Sequence, residues 1–375
     1  HTVQEECRVS GMGSNVGYPP GMVLVDGNPT LNIWTNSSID PATTEEEREW
    51  GDGFPWVASY LDALTAGKDH LEKKGKLLAW IQRHYRALRE SSGEDGQALV
   101  LVGPTECGKS FLGFLLGEMM GGQVDGTKFF LGEENFSAAL LDVPVVTLDD
   151  PPPPRDRLAF RKVQGQLKSW VANRSFYYRD LQKKGCKVRW NGRLVLTIND
   201  NPEAATAIPE IRSDVSDKYL MIDVGRFSGF KSASENEEIL RKELPAFCDW
   251  LLSADFSPLL TNRRYGLEGW QSQRVQEIAN GSSFNSYFAE NVQHFLDSTL
   301  AEDETWEGTG KMLIEDIRKF QPIYARGLRS SEVVTTLISL GIEGYEIEDH
   351  GNQSKYIASI KAPRRNVITI KRTNQ

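Results

Sequence analysis

The stretch GPTECGKS runs from Gly103 to Ser110, between the apolar run ALVLV and the helix-like FLGFLLGEMM. Its spacing, G-x-x-x-x-G-K-[ST] after a strand and before a helix, is that of a loop that cradles phosphates. Gly103 and Gly108 permit tight backbone geometry. The loop through Pro104, Thr105, Glu106 and Cys107 can then surround a β-phosphate with amide hydrogens at a helix N-terminus. Lys109 would neutralise the β/γ oxygens and Ser110 would ligate Mg²⁺. The pattern implies a nucleoside triphosphate site.

Such a loop needs carboxylates at the tip of a neighbouring strand, and VVTLDD supplies Asp149 and Asp150. Open α/β sheets bind ligands at that end. Asp149 would hold Mg²⁺ through water, and Asp150 would orient and deprotonate the attacking water. A third strand, RLVLTI, ends at Asn199, whose neutral amide can hydrogen-bond a γ-phosphate without adding repulsive charge. Each feature alone has a plain alternative: an aspartate pair can cap a helix, and NDNP can be a turn.

The elements that must position these groups are legible from periodicity. WVASYLDALTAG and KLLAWIQRHYRAL carry apolar residues at three- and four-residue steps, which predicts two amphipathic helices. ALVLV, TKFFLG, VPVVTL, RLVLTI and KYLMIDV read as short strands alternating with helices, an α/β arrangement with a parallel sheet. ENEEILRKELPAFCDWLLS closes this part as a helix. Beyond it, NSYFAENVQHFLDSTL, GKMLIEDIRKF and SSEVVTTLISLG read as helices, and YEIEDHGNQSKYIASI as two strands joined by a polar turn. The expected organisation is an extended lead-in at 1–50, helices at 51–97, a nucleotide-binding core at 98–253 and a winged-helix-like module at 254–375.

The chain of 375 residues is long enough for two or three domains. No apolar run reaches the roughly 18 residues of a membrane span, and the chain begins at His1, which reads as a fragment of something longer. Four scattered cysteines without a CxxC pair read as reduced thiols in a cytoplasmic setting. The net charge of −9 hides a reversal. Residues 155–193 hold twelve Lys or Arg against two Asp, a local charge of +10. A segregated positive belt on an acidic chain suits a phosphate backbone. A solvated basic face on the helix 155–172 is the plainer reading of part of it.

The three motifs, in this order and spacing, resemble a superfamily 3 helicase, and the chain looks like the helicase portion of phage, plasmid and poxvirus-type primase-helicases. YPPGMVLVDGNPTLNIW, FPWVASYLDAL and KLLAWIQRHYRAL are similar to that family's lead-in and helical collar. The resemblance covers residues 18–253. It implies an AAA+-type ATPase, usually a hexameric ring, that uses ATP and Mg²⁺ to track along single-stranded or forked DNA during replication. It also implies a partner primase or polymerase and a virus or mobile element as source. SFYYRDLQKKGCKVRW resembles the hairpin that projects into the channel of such rings, with Lys183 and Lys184 at the tip and Lys187 and Arg189 on the returning strand. Phe176, Tyr177, Tyr178 and Trp190 would stack on bases or pack the hairpin. The family supplies a basic residue in trans, for which Arg212, Lys218 and Arg226 are the candidates in that order. Asp150 stands where the family often has Glu. The alternative reading is a nucleotide-switched replication initiator or assembly factor with little unwinding.

Overall fold

The computed structural model describes residues 9–43, 48–152, 157–179, 185–209, 215–281, 284–301, 304–320, 333–334, 337–338, 342, 344–350 and 367–373. The chain divides into two compact units, one of residues 1–152 and 163–277, the other of 153–162 and 278–375.

The first unit opens with three short strands, β1 (Gly11–Gly13), β2 (Gly21–Val25) and β3 (Asn28–Asn32), in the order β1-β3-β2. The expected extended lead-in is therefore a small sheet. Two helices follow, α1 (Pro55–Leu64) and α2 (His70–Glu90). No side chain of its own chain segment caps α1. Glu243 does so instead, accepting the N–H groups of Trp56 and Val57 at 3.0 and 2.9 Å.

The core then alternates as read: β4 (Ala98–Gly103), α3 (Lys109–Met120), β5 (Gln123–Asp125), α4 (Thr127–Leu131), α5 (Ala138–Leu141) and β6 (Val145–Asp149). Next come α6 (Arg157–Ala172), the hairpin β7 (Ser175–Tyr178) and β8 (Cys186–Arg189), and β9 (Arg193–Asn199). The unit ends with α7 (Pro202–Ala205), β10 (Tyr219–Asp223), α8 (Ala233–Ser253), β11 (Trp270–Gln271) and α9 (Gln273–Gly281). Six strands form one sheet in the order β11-β10-β4-β9-β6-β5, every pairing parallel. All residues of β4 are buried, so the run is apolar throughout instead of alternating.

One element departs from expectation. TKFFLG is α4, not a strand, and the edge strand is the preceding Gln123–Asp125. The Asp125 carboxylate accepts from the Thr127 N–H at 2.9 Å and from its hydroxyl at 2.6 Å, which starts a helical turn between Gly126 and Gly132. That turn drives Phe130 into the core against Trp170, with ring centres 5.3 Å apart. A short apolar run does not distinguish the two outcomes by period.

The second unit holds α10 (Phe284–Thr299), β12 (Thr305–Thr309), α11 (Gly310–Phe320), β13 (Tyr345–Asp349) and β14 (Val367–Arg372). The three strands are antiparallel in the order β12-β14-β13. Their core joins Leu296, Leu313, Ile317, Val333, Leu337, Ile368 and Ile370. This element order fits the expected winged-helix-like module, with one addition to the sequence reading. TWEGT is a strand, and the described partner of YEIED is VITIKR. The stretch KYIASI lies outside the described residues, as does most of SSEVVTTLISLG. Among the described residues no helix is long and apolar enough to cross a membrane.

Candidate nucleotide site

The loop Gly103–Ser110 joins the C-terminal end of β4 to the first turn of α3. Glycine is required at both ends. A side chain on Gly103 would approach the Val224 carbonyl oxygen to 2.9 Å, and Gly108 has a φ of 106° at the helix N-cap. Lys109 is 4% exposed, and its ammonium is ringed by acceptors. It donates to the carbonyls of Gly103 (3.0 Å) and Pro104 (2.8 Å) and to Asn199 Oδ1 (3.0 Å). Parallel pairing accounts for that last contact, because β4 and β9 are in register with Gly103 opposite Asn199.

The acids converge through the next pairing. Ser110 Oγ donates to Asp149 Oδ1 at 2.6 Å, and Thr197 Oγ1 donates to the same oxygen at 2.5 Å. Thr197 stands opposite Asp149 in the β6–β9 register. Its hydroxyl also accepts the Asp150 N–H at 3.0 Å, which fixes Asp150 in a left-handed conformation with φ 39°. Burial raises the Asp150 carboxyl above the ordinary carboxylate range, and the charge of Asp149 adds to the rise. Lys109 and a hydrogen bond from Asn199 pull against it. The Asn199 amide oxygen thus accepts from the ammonium, and Asn199 also acts on the Asp150 carboxyl. A carboxyl raised by burial above the ordinary range suits a general base.

The residues present fit Mg-ATP by the chemistry of their donors. A hydroxyl and a carboxylate oxygen in contact at the loop's edge are the hard oxygen ligands that Mg²⁺ takes. A buried ammonium at a helix N-terminus suits phosphate oxygens.

The remaining candidates are dispersed. Lys218 lies in a 3-10 turn just before β10, paired with Asp217 at 2.9 Å. Five residues of parallel strand, about 17 Å at ~3.3 Å each, separate it from the sheet edge that carries Lys109. Arg226, beyond that strand, donates to the Thr105 carbonyl of its own loop at 3.0 Å. Arg212, Lys183 and Lys184 lie outside the described residues. On the returning strand of the hairpin, Lys187 pairs with Asp26 at 2.8 Å. Arg189 lies over the Tyr18 ring, 5.5 Å from its centre. Phe176 and Trp190 pack with Trp170, Tyr178 is buried, and Tyr177 is exposed with Arg179 over its ring. Packing is therefore the role of three of the four aromatics.

Sequence reading did not single out Thr197 or Tyr60. Thr197 was detectable as a polar residue inside an apolar strand, two positions before Asn199. Tyr60 gave no signal, since its hydroxyl meets the loop only through tertiary packing: it donates to the Gly108 carbonyl at 2.9 Å.

No protein-family profile matches the sequence, and no curated protein matches it. Among solved structures, the apo C-terminal region of NrS-1 is similar with a TM-score of 0.53 and 14% identity, over 95% of this chain and 84% of that one. Another apo structure of this region gives 0.51 and 15% identity over 96% and 85%. A JCV helicase with a bound acetamide compound is a distant likeness, at TM-score 0.33 and 10% identity over 65% and 60%. The chain shares its overall fold with the NrS-1 C-terminal region. It is a P-loop α/β fold, with the loop, acid and amide groups gathered at the C-terminal ends of β4, β9 and β6.

Proposed function

We propose that the protein is an ATP-driven DNA helicase that works as a ring of identical subunits. The observation that supports this reading is the convergence of Lys109, Ser110, Asp149, Asp150 and Asn199 at the ends of three adjacent parallel strands. Lys109 exchanges its loop carbonyls for β- and γ-phosphate oxygens. Asp150 takes the proton of the attacking water, and Asn199 orients that water and the γ-phosphate. Ser110 and, through water, Asp149 would hold Mg²⁺, which would supply charge neutralisation for the phosphoryl oxygens.

Lys218 is too far along β10 to serve its own site, and as a residue offered to a neighbour's γ-phosphate it would have to leave its part-buried pairing with Asp217. In this reading Lys187 and Arg189 of the hairpin leave Asp26 and Tyr18 for single-stranded DNA, with Lys183 and Lys184, which lie outside the described residues, as further contacts; a basic ribbon grips DNA without regard to sequence. The test is hydrolysis and strand displacement on a forked duplex. Wild type should hydrolyse ATP faster with DNA present, and Lys109→Ala should lose both activities. Unwinding at the wild-type rate by Lys109→Ala would end this reading. Hydrolysis with no displaced strand in the wild type would favour a nucleotide-switched assembly factor.

A further inference from the structure

A phosphate loop grips an anion because its amide hydrogens converge on one point, which requires the carbonyls of the same peptide units to face away. Carbonyls turned inward to the protein need donors of their own. Three of them here are met by donors from outside the loop. Arg226 donates to the Thr105 carbonyl at 3.0 Å, the Phe227 N–H to that of Cys107 at 3.3 Å, and the Tyr60 hydroxyl to that of Gly108 at 2.9 Å. Between them, Glu106 (φ 58°) and Gly108 (φ 106°) adopt the left-handed backbone that turns successive amides to one side.

Tyr60 and the backbone that carries the other two donors are themselves firmly held. Tyr60 is fully buried on α1, its ring edge-on to Phe111 and Phe227 at 5.3 and 5.5 Å. The segment after β10 is tied on both sides. Val224 N–H bonds Val102 O and Gly225 N–H bonds Leu64 O, each at 2.9 Å. At the end of the strand, Asp223 pairs at 3.0 Å with Lys73, whose side chain has no exposed surface. The loop is therefore backed by α1 on one side and by the residues after β10 on the other.

We propose that Tyr60 and Arg226 are positioning residues for the polyphosphate, holding the Gly108 and Thr105 carbonyls outward so that the loop's amide hydrogens stay aimed at the anion. The proposal rests on the nucleotide reading of the site and adds two residues that never touch the ligand. It also specifies what they act on. The aligned groups bind phosphate, not base, so inorganic pyrophosphate should feel their loss as much as ADP does.

The experiment uses the full chain with Mg²⁺, titrating N-methylanthraniloyl-ADP by fluorescence and displacing it with pyrophosphate. Tyr60→Phe and Arg226→Ala should each weaken both ligands about three- to tenfold, the range for one hydrogen bond. Arg226→Lys should recover part of the loss. The KM for ATP should rise by the same factor while kcat stays within about twofold, because the alignment serves ground and transition states alike. Arg226 is exposed, so its alanine variant should keep the melting temperature of the nucleotide-free chain. Wild-type pyrophosphate affinity in both variants overturns the proposal, as does a fall in kcat at unchanged KM. If wild type itself binds neither labelled ADP nor pyrophosphate, the nucleotide reading fails and takes this proposal with it.

Discussion

Replacing Thr197 by valine removes one hydroxyl from the middle of β9 and little else, since the two side chains have the same branched shape and the site is 2% exposed. The hydroxyl has two partners. It donates to the Asp149 carboxylate at 2.5 Å and accepts the Asp150 N–H at 3.0 Å. A hydrogen bond to a charged group contributes about 1.5–3 kcal/mol. Ser110 still donates to the same Asp149 oxygen, which places the first loss toward the lower end. The orphaned Asp150 N–H adds to it and frees the backbone of the proposed base. A combined loss of about 1.5–3 kcal/mol in the transition state corresponds to roughly a 10- to 100-fold fall in kcat/KM for ATP. Steady-state hydrolysis at saturating Mg²⁺, with urea unfolding run in parallel, measures both effects. Thr197→Ser restores the hydroxyl and should restore most of the rate. A folded Thr197→Val chain whose kcat/KM is within threefold of wild type would refute the idea that this side chain sets the two acids.

Other outcomes follow from the same geometry. Asp150→Asn should lower kcat by about 10²–10⁴-fold, the usual contribution of a general base, with little change in KM. Because burial and Asp149 raise the Asp150 carboxyl, wild-type kcat should fall with acid above the ordinary aspartate value of 3.8, and a limb at or below it would contradict the assignment. His84 is wholly buried, with both ring nitrogens lacking a hydrogen-bond partner, and burial holds its pKa well below 6.5. The unfolded chain takes up the proton that the folded chain refuses, so this stability is full above pH 6.5 and drains as pH falls toward the depressed folded value. Unfolding free energy should drop from this group as pH falls below 6.5, a slope that His84→Leu should remove. Asp26→Asn releases Lys187 from its partner and should tighten binding of oligo-dT at low salt, an effect that vanishes as salt screens it. Unchanged affinity would count against Lys187 as a DNA contact.

Much of the core could be read directly because its signals are local. β4 is buried on both faces and so appears as an unbroken apolar run, β9 as one broken by Thr197, and the glycine loop between strand and helix needs only eight consecutive residues to be recognised. α4 could not be read this way. TKFFLG carries strand-like residues, and one carboxylate, that of Asp125, two residues upstream of Thr127, tips it into a helical turn. In the second unit, the described pairing of β13 with VITIKR joins runs separated along the chain, which no local pattern sets.

The sequence by itself determined the loop, the acid pair, the strand-end asparagine and the order in which they occur, because each is written in adjacent residues. Tertiary structure decided which of them touch. Asn199 meets Lys109 because β9 lies beside β4 with Asn199 opposite Gly103, and Thr197 meets Asp149 because β6 lies on the other side of β9. It also decided that Lys187 and Arg189 rest against Asp26 and Tyr18, more than 160 residues earlier in the chain. Contacts between parallel strands depend on the register of segments separated by whole helices. That register is fixed by how the sheet and its covering helices pack together, which no single stretch of chain encodes.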